Sequence, residues 1–182
     1  MPEITPKVDI ILDRDGVINL DSDAYVKSAD EWIPIDSSIQ AIANLHKAGH
    51  RLFIATNQSG VGRGFFTLDD LNAMHEKMLN LIHQAGGKIT DIAFCPHTPD
   101  DQCDCRKPKS GLLISLANTH HISLNSAIVI GDSLRDLQAA TNVGSKAFLV
   151  LTGKGKKTLQ ENPNLPYPIF ETLYDASQSI LT

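Results

Sequence analysis

Two hydrophobic patterns alternate along this chain of 182 residues, and their alternation strongly limits the folds it can adopt. Short apolar runs rich in branched residues are separated by longer segments in which apolar residues recur at helical spacing. The short runs cover residues 8–12, 52–55, 92–95, 127–130 and 147–151. Such runs are typical of buried parallel strands, which must be joined by helices that cross the sheet. The sequence therefore predicts an α/β fold, with a doubly wound parallel sheet covered by helices on both faces.

The chain length fits one domain, predicted to span residues 1–182, with no insertion long enough for a separate cap domain. Residues 16–36 are predicted to form an irregular excursion or a small hairpin after the first strand, and residues 67–70 a capping box that starts a helix. Residues 154–168 are predicted to be a surface loop, followed by a last helix over residues 169–181. A capless domain of this kind must shape its site from loops.

The charge balance and the absence of long apolar runs argue against nucleic acids and membranes as partners. Sixteen Lys and Arg residues against twenty-one Asp and Glu residues give a net charge of −5, which disfavours nucleic-acid binding and favours a small diffusing substrate. The longest apolar run, residues 147–151, is far shorter than the roughly 20 residues of a membrane span, and residues 1–3 lack the basic start of a signal peptide. We therefore expect a cytoplasmic protein that does not bind membranes and, without sustained heptads, a monomer.

Acidic residues follow two of the predicted strands. In an open parallel sheet, ligands bind beyond the carboxyl ends of the strands, so these positions are candidates for a functional site. Asp13 and Asp15 follow the first strand, and Asp132 follows the fourth. Carboxylates placed there are costly unless they are paired, and Mg²⁺ prefers hard oxygen ligands of this kind. Taken alone, each motif also fits an ordinary polar turn.

The other strand ends offer groups that could hold a phosphate. Thr56 and the three polar residues after it follow the second strand, and the loop after the third strand leads to Arg106 and Lys107. Asp136 lies where it could cap the helix that follows the fourth strand. By themselves, the residues after the second strand equally fit a polar turn, and the two cations a solvated surface.

All three cysteines of the chain lie in one eleven-residue window together with a histidine. Cys95, His97, Cys103 and Cys105 are the donor set of a closed tetrahedral Zn²⁺ site, and three free thiols with a surface histidine are the alternative. Disulfides of a secreted domain are not distributed in so narrow a window. The loop has little apolar material, so a structural zinc would stabilise it and hold Arg106 and Lys107 in place.

Five motifs occur in order after the predicted strands. They are Asp-Arg-Asp-Gly-Val-Ile-Asn (13–19), Thr-Asn-Gln-Ser-Gly (56–60), Cys-Pro-His (95–97), Cys-Asp-Cys-Arg-Lys-Pro (103–108) and Gly-Asp-Ser-Leu-Arg-Asp (131–136). Together they resemble the haloacid dehalogenase-like superfamily of aspartate-dependent phosphohydrolases, and within it the small capless group of heptose-bisphosphate phosphatases and histidinol-phosphatases. The resemblance covers residues 8–152 and implies a Rossmann-like sheet with strand order 3-2-1-4-5 and a zinc-binding loop.

The resemblance also implies a role for each matched residue. Asp13 would be the nucleophile that attacks phosphorus, and Asp15 the general acid and base. Mg²⁺ would be held by the carboxylates of Asp13 and Asp132 and by the backbone carbonyl of Asp15. Thr56 and Lys107 would stabilise the phosphoryl oxygens. These roles predict a raised pKa for Asp15 and an Asp13 that stays ionised beside the metal.

The substrate implied by the resemblance is D-glycero-D-manno-heptose 1,7-bisphosphate, cleaved at its 7-phosphate on the way to nucleotide-activated heptose for cell-surface polysaccharide. The mouth of the site would be shaped by residues 19–33, 57–66 and 98–107. The residues expected to contact substrate are Asp21, Tyr25, Thr56, Asn57, Gln58, Ser59, Arg106 and Lys107. Histidinol phosphate is the alternative substrate. A zinc-containing phosphate-binding module without turnover is a third interpretation, which the intact pair of Asp13 and Asp15 argues against.

Overall fold

The computed structural model describes residues 6–182, and one sheet runs through the middle of this part of the chain. Its strands are β1 (Asp9–Leu12), β2 (Arg51–Asn57), β3 (Asp91–Cys95), β4 (Ile128–Gly131), β5 (Lys146–Val150) and β6 (Ile169–Phe170). The strands pair in the order β3-β2-β1-β4-β5-β6, and every pairing is parallel. The doubly wound sheet and the order 3-2-1-4-5 are therefore confirmed, with a sixth strand added at one edge.

Helices cross both faces of this sheet. They are α1 (Asp36–Lys47), α2 (Ser59–Gly62), α3 (Leu68–Gln84), α4 (Gly111–His120), α5 (Leu134–Asn142), α6 (Gly155–Glu161) and α7 (Leu173–Leu181). The predicted capping box is present at the start of α3. There the hydroxyl of Thr67 accepts from the N–H of Asp70 at 3.1 Å, and the Asp70 carboxylate accepts from the N–H of Thr67 at 2.8 Å.

Alternate side chains of β1 enter two separate hydrophobic cores. Ile10 and Leu12 pack with buried residues of α1, α3 and α7, whereas Ile11 packs on the other face with residues of α4 and α5. All three are fully buried, and burying a side chain of this size contributes about 1.5–3 kcal/mol. Because a slip of one residue would exchange the two faces, this burial fixes the register of β1 and the place where it ends.

Two sequence predictions near the C-terminal end are wrong. The last helix begins at Leu173 rather than at residue 169, because Thr172 forms a capping box with Asp175 and the two residues of β6 pair with β5. The segment 154–168 is not a loop throughout, since it contains α6. Both errors have one cause: the local apolar pattern is short there, and pairing with the rest of the sheet decides the structure.

The predicted irregular excursion between β1 and α1 is present. Its only regular pairings in the described chain are isolated bridges of Asn19 with Asp15 and with Pro34, and the fully buried Trp32 attaches it to the core. The absence of a signal peptide was predicted from residues 1–3, and these residues lie outside the described part of the chain. Within residues 6–182, no helix has the length and apolar character needed to cross a membrane.

Candidate active site

The strand register brings distant acidic residues to one edge of the sheet. Leu12 is paired with Ile130 in the neighbouring strand, so Asp13 follows β1 at the same level as the end of β4. The N–H of Asp13 donates to the carbonyl of Ile130 at 3.0 Å, which fixes the backbone next to Asp132. The carboxyl ends of β1 and β4 therefore place Asp13 and Asp132 side by side, as ligand sites of doubly wound sheets require.

A cavity of about 260 Å³ opens at this edge. Most residues predicted for the site line it, namely Asp13, Asp15, Asp21, Tyr25, Asn57, Gln58, Ser59, Arg106, Lys107 and Asp132. Thr56 is the exception, because it is 1% exposed and its hydroxyl accepts a hydrogen bond from the side chain of Gln58 at 2.9 Å. The structure thus places Thr56 behind the cavity wall in this arrangement.

Lys107 joins the two acidic ends of the site. Its buried ammonium donates to Asp13 Oδ1 at 3.0 Å, to Asp136 Oδ1 at 2.6 Å and to the carbonyl of Ala55 at 2.7 Å. Burial alone would lower the pKa of Lys107, but the charges of Asp13 and Asp136 outweigh it and raise this pKa above its usual range. The amide of Asn57 holds the backbone of Lys107, accepting from its N–H at 3.0 Å and donating to its carbonyl at 3.2 Å. Lys107 is therefore a fixed positive charge beside Asp13.

Asp136 serves as a helix cap, as the sequence predicts, and also as a partner of Lys107. One of its oxygens accepts from the N–H of Ser133 at 3.1 Å and from the Ser133 hydroxyl at 2.8 Å, which closes the capping box of α5. Its other oxygen pairs with Lys107. Asp136 is 2% exposed, so this buried ion pair ties the start of α5 to the loop that carries Lys107.

Asp15 belongs to a buried polar network that the sequence analysis overlooked. Arg14, which is fully buried, donates from Nη2 to both carboxylate oxygens of Asp15, at 2.9 and 3.2 Å. The side chains of Asn19 and Gln58 each donate to the same carboxylate at 2.8 Å. On its far side, Arg14 Nη1 lies 3.3 Å from Nε2 of the buried His75 in α3. The network fixes the direction in which the Asp15 carboxylate points.

The pKa of Asp15 runs opposite to the sequence prediction, whereas the prediction for Asp13 concerns the site with its metal bound. Burial raises the pKa of Asp13 to about 7, and the charge of Asp136 adds to this effect while Lys107 opposes it. Burial also acts on Asp15, but the charge of Arg14 and hydrogen bonds from neighbouring side chains outweigh it and lower its pKa. The prediction failed because it considered the acidic neighbours of Asp15 and not the guanidinium beside it.

Three carboxylates at this edge could share a divalent cation. Asp13, Asp132 and Asp136 each offer an oxygen atom, and these atoms lie within 4.8 Å of one another. Burial, together with the charges of Asp13 and Asp136, raises the pKa of Asp132 to about 8. A hard cation such as Mg²⁺ relieves repulsion of this kind and prefers carboxylate oxygens. Asp13 and Asp132 are two of the three predicted magnesium ligands, whereas Asp136, which already pairs with Lys107, is not among them.

The predicted zinc ligands also come together. Cys95, His97, Cys103 and Cys105 each place a donor atom within 4.8 Å of the other three. The sulfur of Cys103 lies 3.6 Å from that of Cys95 and 3.5 Å from that of Cys105, and the sulfurs of Cys95 and Cys105 are 2.9 Å apart. All three cysteines are free thiols. A tetrahedral site with Zn–S bonds of about 2.3 Å has S–S edges of about 3.8 Å, which both distances from Cys103 approach, whereas the sulfurs of Cys95 and Cys105 lie closer together than that.

Four further residues at the site were missed or set aside in the sequence analysis. Arg14 supports Asp15, Arg63 and Arg135 line the cavity, and the N–H of Lys154 donates to Asp132 Oδ2 at 2.8 Å. A signal existed for Arg14 and Arg135, since each lies inside a recognised motif next to an acidic residue. No local pattern marks Arg63 or Lys154, because their loops reach the cavity only through the fold.

Comparison with known proteins places the chain in a family. A curated D-glycero-beta-D-manno-heptose-1,7-bisphosphate 7-phosphatase from Neisseria meningitidis is 54% identical over 175 residues, covering 94% of each chain. The chain belongs to the haloacid dehalogenase-like phosphatase family. The family model for HAD-hydrolase-like proteins matches residues 104–176 of this phosphatase. The enzyme of the same name from Pseudomonas putida is 47% identical, covering 94% of this phosphatase and 98% of that relative.

A solved structure supports the same assignment of this phosphatase. The D,D-heptose 1,7-bisphosphate phosphatase from B. bronchiseptica, complexed with magnesium and phosphate, superimposes with a TM-score of 0.93 at 48% identity. The superposition covers 96% of this phosphatase and 98% of the B. bronchiseptica chain. The capless fold and phosphatase chemistry implied by the motifs are thus confirmed for this member of the family.

Proposed function

We propose that this phosphatase removes the 7-phosphate of D-glycero-D-manno-heptose 1,7-bisphosphate through a phosphorylated Asp13. The observation that carries the proposal is the meeting of Asp13, Lys107 and Asp132 at one cavity, with Asp15 held beside them. Relatives that are 47–54% identical over 94% of the chain are named for this substrate, which supports the choice of sugar.

In the first step, a carboxylate oxygen of Asp13 attacks phosphorus. The bond between phosphorus and the sugar oxygen breaks, and the leaving alkoxide takes a proton from Asp15. Lys107 lies 3.0 Å from Asp13, where it can neutralise charge on the phosphoryl oxygens as they approach. The products of this step are the heptose 1-phosphate and an aspartyl-phosphate.

In the second step, water attacks the phosphorus of the aspartyl-phosphate and gives its proton to Asp15. The bond between phosphorus and Asp13 breaks, so inorganic phosphate leaves and both side chains return to their starting state. Asp15 must carry a proton at the start of the first step, although Arg14 lowers its pKa. The negative charge of the incoming phosphate opposes Arg14 and raises the proton affinity of Asp15.

Two metals fit the residues of this chain. We assign Mg²⁺ to the carboxylates of Asp13 and Asp132 and to the backbone carbonyl of Asp15, and when bound it supplies positive charge that lets an anionic nucleophile meet an anionic ester. We assign a structural Zn²⁺ to the cluster of Cys95, His97, Cys103 and Cys105, whose four donors leave no open position. This zinc would hold the loop that leads directly to Arg106 and Lys107.

We further propose that residues 1–182 form one domain and that the protein is a monomer. We also propose that it acts in the cytoplasm on a small sugar phosphate. The described cavity is built from the loops of a single chain, and its walls need no second copy. Size-exclusion chromatography with light scattering tests the oligomeric state, and a mass near the chain mass of 19.8 kDa is expected.

A glycine next to Asp132 provides a test of this arrangement. Gly16 has a φ of +82°, and a Cβ added there would overlap the carboxylate of Asp132. We expect Gly16→Ala to displace this carboxylate and lower kcat at saturating Mg²⁺ by about tenfold or more. Gly144→Ala is the matched control, because Gly144 has a φ of +75° with no atom within 4 Å of an added Cβ.

Both alanine variants force an unfavourable backbone conformation, which costs roughly 1–2 kcal/mol of folding stability. Only Gly16→Ala also disturbs the metal ligand, so urea unfolding and phosphate release are measured on both. Equal kcat values for the two variants would contradict the assignment of Asp132 to the catalytic site.

A substrate panel tests the proposed function itself. Phosphate release is measured from both anomers of the heptose bisphosphate, from the heptose 7-phosphate and from histidinol phosphate, with Mg²⁺ and with a chelator. We expect kcat/KM for the bisphosphate to exceed that for histidinol phosphate by about a hundredfold, and turnover to stop without Mg²⁺. A preference for histidinol phosphate would overturn the proposed substrate, and release from none of the esters would favour a binding module.

A further inference from the structure

Three of the five arginines in the chain line the same cavity, although the chain as a whole is acidic. Arg63 follows the short helix α2, Arg106 lies in the cysteine-containing loop, and Arg135 lies in the first turn of α5. They come from three separate elements, so no single amphipathic pattern explains their meeting. Such a concentration of guanidinium groups needs a reason beyond solubility.

These three guanidinium groups are not neutralised by the protein. Among residues 6–182, no carboxylate lies within ion-pair distance of Arg63, Arg106 or Arg135. Within the same part of the chain, Arg106 donates one side-chain hydrogen bond, to the carbonyl of His97 at 3.3 Å, and the other two side chains donate none to protein atoms.

The other two cations of the cavity are already paired. Lys107 contacts Asp13 and Asp136, and Lys154 lies 3.5 Å from Asp21. An anion that binds in the cavity beyond Lys107 would therefore meet unpaired positive charge at the three arginines. Guanidinium groups are the preferred partners of phosphate, because their N–H groups match its oxygens in pairs.

We propose that Arg63 and Arg135, together with Arg106, form an anion subsite that holds the phosphate group that the enzyme does not cleave. This inference rests on the proposed function, since a bisphosphate brings one phosphate to Asp13 and must place the other elsewhere in the cavity. The subsite selects bisphosphorylated esters over monophosphorylated ones. It also orients the substrate so that the correct phosphate meets Asp13.

The test compares two esters that share the same cleaved group. We measure kcat/KM for the heptose 1,7-bisphosphate and for the heptose 7-phosphate, and use their ratio as the selectivity. Arg63→Gln and Arg135→Gln are each expected to lower this ratio about tenfold, and the double variant about a hundredfold. The loss is expected to shrink at high salt, because both side chains are solvent-exposed.

Arg51→Gln is the matched control. Arg51 is a guanidinium at the amino end of β2, paired with Asp9 at 2.7 Å, and it lies away from the cavity. It is expected to leave the selectivity ratio at the wild-type value. A double variant of Arg63 and Arg135 that retains the wild-type ratio would overturn the subsite.

A binding measurement separates failure of the subsite from failure of the proposed function. Dissociation constants of both esters are measured by calorimetry in a chain carrying Asp13→Asn, so that neither ester is consumed. If the wild-type chain turns over neither ester, the proposed function fails. In that case, tighter binding of the bisphosphate that is lost in the arginine variants still supports the subsite, and equal binding of both esters contradicts it.

Discussion

Replacing Asp13 by asparagine is expected to lower kcat on the order of 10⁴-fold or more. The neutral amide cannot attack phosphorus, and it is a weaker ligand for Mg²⁺ than a carboxylate. The fold should survive the change, because Lys107 keeps its contacts with Asp136 at 2.6 Å and with the carbonyl of Ala55 at 2.7 Å. Steady-state phosphate release and thermal unfolding, measured on the same preparation, separate these two effects.

The direction of the Asp13 pKa sharpens this prediction. Burial raises the folded-state pKa of Asp13 to about 7, above the ordinary value of 3.8, so the stability linked to its protonated form is lost as the pH rises through about 7. At pH 8 without Mg²⁺, the asparagine variant should therefore be at least as stable as the wild type. Asp69→Asn, an exposed position in α3, is the control. An Asp13→Asn enzyme within tenfold of wild-type kcat would exclude Asp13 as the nucleophile.

Loss of the zinc cluster is expected to have the second largest effect. Replacing Cys105 by serine, or removing zinc with a strong chelator, should lower kcat/KM by about a hundredfold, although no zinc ligand lines the cavity. The reason is that Cys105 directly precedes Arg106 and Lys107, and the buried Lys107 must be held against both Asp13 and Asp136. A structural zinc site supplies on the order of 10 kcal/mol of apparent folding free energy, enough to order such a loop.

Metal analysis and reconstitution test this prediction. The purified wild-type chain should contain one zinc per molecule, and the Cys105→Ser chain much less. Activity lost to the chelator should return with zinc added together with Mg²⁺, and not with Mg²⁺ alone. Full activity in a zinc-free chain would show that the cluster does not hold the loop in place.

The strand ends were predictable from sequence because they depend on local pattern. The apolar run that ends at Leu12 had to be buried on both faces, and this burial placed Asp13 at the ligand-binding edge of the sheet. The cysteine cluster was predictable for a similar reason. Its four donors lie within eleven residues, so they can come together without contacts from the rest of the fold. The positions of the main acidic residues followed from the first of these facts, whereas the strand order 3-2-1-4-5 came from the resemblance to the family.

Other features depend on contacts between distant segments, and the sequence analysis missed them. The pKa of Asp15 was predicted in the wrong direction because Arg14 could have faced solvent, and only the packing of α3 against it shows that it is buried. Arg63 lies in a loop without any chemical motif and reaches the cavity only through tertiary structure. The two-residue strand β6 is too short to leave a pattern and exists because β5 offers it an edge.

Trapping the phosphorylated enzyme tests the central claim most directly. Wild-type protein is mixed with substrate and Mg²⁺, quenched in acid within one turnover and digested, and the peptides are analysed by mass spectrometry, with Asp13→Asn as the control. We predict one added phosphoryl group on Asp13 in the wild type and none in the variant. Rapid phosphate release with no phosphoryl group on Asp13, or with the group on another residue, would contradict the account.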